Sequence, residues 1–139
     1  MSQFVQDLRE CVDTLRAGDA GATRAALLQQ YRLVLPYEYQ YEGLALSDAD
    51  AAFLQLYSRK ADALRTSFWP ALLNVAGAAY PHTEKEHGAP LAALLELQCI
   101  LLPHDDGTIW ELDYAVPFDE AIFHVRFDGW DFRDIGQSH

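Results

Sequence analysis

Basic residues are scarce in this chain: 10 Lys and Arg stand against 21 Asp and Glu, a formal net charge of −11. A protein that holds nucleic acid or an anionic membrane neutralises phosphates with cations, so that balance disfavours phosphate-rich partners. Cysteine is nearly absent. Cys11 and Cys99 are the only two, the first on the apolar stripe of a helix and the second on the inward parity of a strand. Buried reduced thiols are therefore expected rather than a disulfide, as in a reducing cytosol. No apolar run reaches the roughly 18 to 20 residues of a membrane span. Met1 to Phe4 lead straight into an amphipathic pattern rather than into a signal peptide, and the expected location is the cytoplasm. The sequence also has no G-x-x-x-x-G-K-[ST], G-x-G-x-x-G, G-x-S-x-G or Cys-x-x-Cys. Nucleotide, serine-hydrolase and thioredoxin-like chemistry lack their motifs.

Apolar and aromatic residues are plentiful. Half of the 139 residues are hydrophobic and 12% are aromatic, with three Trp, seven Tyr and seven Phe, enough for one core in one domain spanning 1–139. The pattern divides that domain into a helical part (1–81), a polar hinge bounded by prolines (81–90) and an antiparallel sheet (91–135). Phe4, Val5, Leu8, Cys11, Val12 and Leu15 recur at helical spacing over 3–17, with Gly18 as the stop. A second helix begins after Asp19 or Thr23, carries Ala26, Leu27, Tyr31 and Val34, and ends at Pro36. Ser47 with Asp48 and Asp50 supplies a cap and first-turn acids for a third helix, about 48–65. Ser67 to Pro70 then restart a fourth that runs to about Tyr80, a pattern that a proline-interrupted continuation of the third would share. The fold class is α+β, four or so N-terminal helices on a C-terminal four-stranded antiparallel meander.

Asp106-Gly107 and Asp128-Gly129 read as two-residue hairpin loops between alternating segments. With Pro117 to Glu120 as the middle loop, Trp110, Glu111, Leu112, Asp113 and Tyr114 face Phe127, Arg126, Val125, His124 and Phe123. With Asp128-Gly129 as the last loop, Phe127, Arg126, Val125 and His124 face Trp130, Asp131, Phe132 and Arg133. One face is then apolar, and the other carries the rows Glu111–Arg126–Asp131 and Asp113–His124–Arg133. The first strand, about 94–103, places Leu97, Cys99 and Leu101 inward, with Ile100 and Leu102 outward under partial cover.

Candidate chemistry is thin. The histidines of His82-Thr83-Glu84-Lys85-Glu86-His87 are five apart and share no helical face, so the segment reads as a solvated loop and no metal or cofactor is expected. His124 beside Asp113 has the make-up of an oriented general base, yet its cross-strand setting among Glu111, Arg126 and Arg133 already explains it as a salt-bridged sheet surface, and no nucleophile or oxyanion donor is near in sequence. An enzyme is not expected. Tyr37-Glu38-Tyr39-Gln40-Tyr41-Glu42 is of another kind: in an extended segment its three rings line one side, either against the core or as an exposed aromatic strip rimmed by carboxylates. Exposed, it has the residue mix of an interface anchor for Arg and Lys. From Pro103 onward nine acids face Arg126 and Arg133, so this segment carries −7 of the net charge; Asp105, Asp106, Asp119 and Glu120 are its candidates for steering a basic partner.

In size, charge and helices-then-meander layout, the chain resembles the immunity proteins that bacteria make against polymorphic or contact-dependent toxins. The resemblance implies a tight one-to-one complex with a toxin, and it carries no residue over. The expected partner surface is accordingly Tyr37, Glu38, Tyr39, Tyr41, Glu42, Asp105, Asp106, Asp119 and Glu120, and the partner a basic protein. Two alternatives stand beside it. One is a ligand-binding or catalytic domain with a pocket between helices and sheet, lined by Trp110, Tyr114 and Trp130. The other is a homodimer formed through the outer face of the first strand.

Overall fold

The computed structural model describes residues 2–104 and 107–139. Three helix starts are set by side-chain caps, each an oxygen that satisfies an amide the helix itself cannot. The Ser2 hydroxyl accepts from Val5 N–H at the head of α1 (Gln3–Ala17), and Asp19 accepts from Ala22 N–H at α2 (Ala20–Tyr31). Ser47 accepts from Asp50 N–H at α4 (Asp48–Ala79). A single 3₁₀ turn, Arg32–Val34, carries the chain from α2 to Pro36 and the short helix α3 (Tyr37–Tyr41). Two more short helices, α5 (Thr83–His87) and α6 (Leu91–Leu94), precede the strands. The described residues thus hold six α-helices rather than four.

The sheet consists of β1 (Glu96–Leu101), β2 (Ile109–Ala115), β3 (Ile122–Asp128) and β4 (Asp131–Ser138), antiparallel neighbours in chain order. Between β2 and β3 every expected pair is found, from Trp110 opposite Phe127 to Tyr114 opposite Phe123. The inner face presents Ile100, Leu112, Tyr114, Phe123, Val125 and Phe127 to the buried side of α4, which runs from Phe53 through Tyr57, Leu64, Phe68 and Leu72 to Ala76. Trp110 stacks on Phe127 at 4.2 Å and meets Phe53 edge-on at 4.9 Å. Its indole N–H donates to the Gly129 carbonyl at 2.6 Å, which satisfies the one polar group of a fully packed ring.

Five expectations of local structure are corrected. The two helices separated near residue 66 are one 32-residue helix with Pro70 inside it. Proline removes a hydrogen bond there, yet Phe68 and Leu72 on either side are buried, and packing holds the turn together. The loop of the last hairpin is Gly129-Trp130, with Asp128 opposite Asp131 and Phe127 opposite Phe132. Gly129 takes φ +60, the left-handed region that the first position of a tight hairpin loop demands. Trp130 is pulled into the loop by contacts outside the sheet: its ring lies 4.6 Å from Phe4 and its N–H donates to Asp7 of α1 at 3.0 Å.

Beyond Phe127 a bulge places Asp134 opposite Arg126 and Ile135 opposite Val125, so Asp131 and Arg133 are not the third members of the charged rows. In β1, a bulge between Leu97 and Cys99 reverses the parity of the later residues. Ile100 and Leu102 point into the core, while Cys99 lies half-buried opposite Asp113 and Leu101 is exposed opposite Glu111. The apolar outer face on which a homodimer rested is therefore inside the molecule. The polar hinge is ordered too. Thr83 is buried, His87 stacks on Phe118 with ring centroids 3.7 Å apart, and Gly88 closes α5 in the left-handed conformation, so the segment is a short helix rather than a loop, solvent-exposed except at Thr83.

Candidate functional site

The tyrosine strip is helical, not extended, and this splits its three rings. Pro36 starts α3 with its backbone at ψ 159, and the next residues turn. At helical spacing Tyr37 and Tyr41 are one turn apart, and their rings contact each other at 5.0 Å on the exposed side. Tyr39 faces the other way. It is only 8% exposed and donates its hydroxyl hydrogen bond to Asp50. Burial, and then that carboxylate, push the Tyr39 phenol far above its ordinary range. Tyr39 is thus a bolt between α3 and the start of α4 and leaves the candidate partner surface.

Two leucines join the surface in its place. Leu33 is 86% exposed on the 3₁₀ turn, and Leu44 lies exposed just after Gly43. The Gln40 side chain donates to the Leu33 and Leu35 carbonyls, and Leu44 N–H donates to the Glu38 carbonyl at 3.4 Å. These bonds fasten the turn, α3 and the following loop together. Glu38 and Glu42 are exposed on or beside the same short helix. The sequence signal for Leu33 was its phase: it falls off the Leu27, Tyr31, Val34 stripe, and an apolar residue out of phase is one the core does not claim, whereas Leu44 lies in a loop and gave no such signal.

The steering acids are dispersed. Asp119 lies in the loop between β2 and β3, where it accepts from the Tyr80 hydroxyl at 2.6 Å. That contact, with the Glu120 amide, holds the Asp119 carboxyl below its ordinary value; burial and Asp119 together push the Tyr80 phenol up to about 12. Glu120 is exposed beside it, whereas Asp105 and Asp106, and with them the loop inferred at Asp106-Gly107, lie outside the described residues. The space between helices and sheet is occupied by the rings that were expected to line a pocket. Trp110 and Tyr114 are buried, and Trp130 packs against Phe4 and Phe53. A groove of about 310 Å³ lies at the surface instead, along Val5, Leu8 and Val12 of α1.

On the outer face of the sheet, His124 meets two carboxylates. Its Nδ1 is 2.8 Å from Glu111 Oε2 and 2.8 Å from Asp113 Oδ1, and its Nε2 is 2.7 Å from Ser138 Oγ of β4. Asp113 stands opposite His124 as the register required; Glu111 reaches it diagonally, a contact that pairing alone assigns to Arg126. Arg126 binds Asp134 instead, at 3.2 Å. Burial, and then Asp113, raise the Glu111 carboxyl. For His124, burial works downward, but hydrogen bonds to Asp113 and Glu111 outweigh it and raise the imidazole. Cys99, also on this face, has its thiol pushed up by burial and by Asp113 and Glu111, which disfavours the thiolate.

Comparison of the chain with protein families, with curated proteins and with solved structures finds no match.

Proposed function

We propose that this protein is an acidic protein-binding module, that its anchor is the surface formed by Leu33, Tyr37, Tyr41 and Leu44 with Glu38 and Glu42, and that its partner is a basic protein. The observation that carries the reading is concentration. Of the six large hydrophobics exposed among the described residues, four fall between positions 33 and 44, and clustered apolar surface rimmed by charge marks an interaction site where scattered surface apolars mark nothing. Tyrosines suit such an anchor because each buries a large ring for little conformational entropy and keeps a polar tip. The rim and the net charge of −11 select cations on the other side. The resemblance to immunity proteins extends this reading to a toxin as the partner, with its active site blocked or distorted in the complex.

The experiment is a co-purification from the source organism with the wild-type chain and the Tyr37→Ala/Tyr41→Ala double variant as baits, both first shown to melt cooperatively. A basic protein retained by the first and lost from the second is the expected outcome. Equal recovery on both baits would reject the surface, and an acidic companion would reject the class of partner.

A further inference from the structure

The outer-face cluster of Glu111, Asp113 and His124 is not used by the binding surface, and its geometry asks for a cation. Glu111 and Asp113 are two residues apart on β2 and so share a face, while His124 projects from β3 opposite Asp113. All three donor atoms lie within 4.8 Å of one another, and the side chains are between 14% and 22% exposed. They are neither deeply buried nor fully hydrated. When Nε2–H donates to Ser138 Oγ, the Nδ1 lone pair is aimed at both carboxylates, and three acceptors converge on one point. The cation that sequence pairing would supply, Arg126, is directed to Asp134, its guanidinium lying over Gly136.

We propose that Glu111, Asp113 and His124 form a three-ligand site for a divalent transition-metal ion of the zinc class, with His124 bonding through Nδ1 and Ser138 fixing its tautomer. Two ligands, each about 2.1 Å from such an ion, stand about 3.0 Å apart at a right angle and about 3.4 Å apart at the tetrahedral angle that zinc favours. The two separations of 2.8 Å from Nδ1 to the carboxylate oxygens are those of hydrogen bonds, and an ion at this point needs each of them to open by about 0.2 to 0.6 Å. The imidazole decides the class of metal, because nitrogen ligands favour zinc-like ions where all-oxygen sets favour magnesium and calcium. Ser138 plays the part of the outer hydrogen-bond partner that a ligating histidine keeps on its second nitrogen. Solvent completes the coordination at the open face. A shared proton is the competing occupant of the same point.

The test titrates the full chain, stripped with chelator, with Zn²⁺ and separately with Mg²⁺ by calorimetry. One equivalent of Zn²⁺ at micromolar affinity or tighter is expected, with no heat from Mg²⁺. Asp113→Asn and His124→Gln each abolish binding, Ser138→Ala weakens it about tenfold to a hundredfold, and His82→Ala/His87→Ala leaves it unchanged. Addition of Co²⁺ to the wild type, followed by NMR, covers the case of a variant that does not fold: the His124 ring signals broaden before those of His82 and His87. Absence of Zn²⁺ binding, binding that survives Asp113→Asn, or broadening that begins at His82 and His87 would overturn the site and leave a shared proton.

Discussion

Tyr39 and Tyr41 sit two positions apart, are chemically identical, and do opposite things. One ring is buried with its hydroxyl on Asp50, the other is 71% exposed against Tyr37. The difference is testable through the hydroxyl alone. Tyr39→Phe removes a hydrogen bond and leaves Asp50 without its donor, and should cost about 1 to 2 kcal/mol in denaturant melts. Tyr41→Phe should stay within about 0.5 kcal/mol of wild type. Equal costs would show that α3 is not oriented as described. Alternation along the sequence could not make this distinction, because a period of two and a helical turn both place residues 37 and 41 on one side. They differ only at residue 39.

At the scale of elements, what was legible depended on whether a strand was regular. The β2–β3 register was readable because two independent patterns, aromatic pairs and opposite charges, agree on it. That register alone brought Asp113 to His124. The parity of β1 was not readable, since one extra residue at Gln98 turns every later side chain over, and nothing local announces it. Ile100→Ala should therefore cost about 2 to 5 kcal/mol and Leu101→Ala under about 1 in the same melts; an unbulged strand gives the reverse order. The last hairpin was misread for a long-range reason, the attachment of Trp130 to Phe4 and Asp7, which no window on the strand contains. Pro70 shows tertiary packing overriding a local rule. Its side chain is exposed and its missing N–H leaves the helix one bond short. Pro70→Ala should stabilise the protein by about 1 to 3 kcal/mol in thermal or chemical melts, and a loss of stability would mean that the proline sets the course of α4.

For the molecule as a whole, charge was the most readable property and shape the least. The segment from Pro103 holds nine acids and two arginines, but the exposed apolar residues proposed as the anchor lie elsewhere, on the 3₁₀ turn, α3 and the loop after it, with Leu33 identifiable only as a stray from a helical stripe. At Asp48 an acid ties three helices together. Asp48 binds Arg16 at 3.0 Å and Arg24 at 2.6 Å, and these contacts hold its carboxyl below the ordinary value. A depressed folded value means that this contribution is present above the unfolded carboxylate value of about 3.9 and is lost as pH falls through the folded one. Asp48→Asn should therefore lose stability at neutral pH and show a shallower decline on acidification; an unchanged acid limb would mean that the pair is idle. The central claim is the proposal that the acidic exterior steers a basic partner onto the exposed apolar residues of positions 33 to 44. It is tested most directly by the association and dissociation rates of the co-purified partner as a function of salt. The account predicts an association rate that falls as salt rises, and a dissociation rate that rises roughly thirtyfold, about 2 kcal/mol, in Tyr37→Ala/Tyr41→Ala. Rates indifferent to both salt and the tyrosines would contradict it.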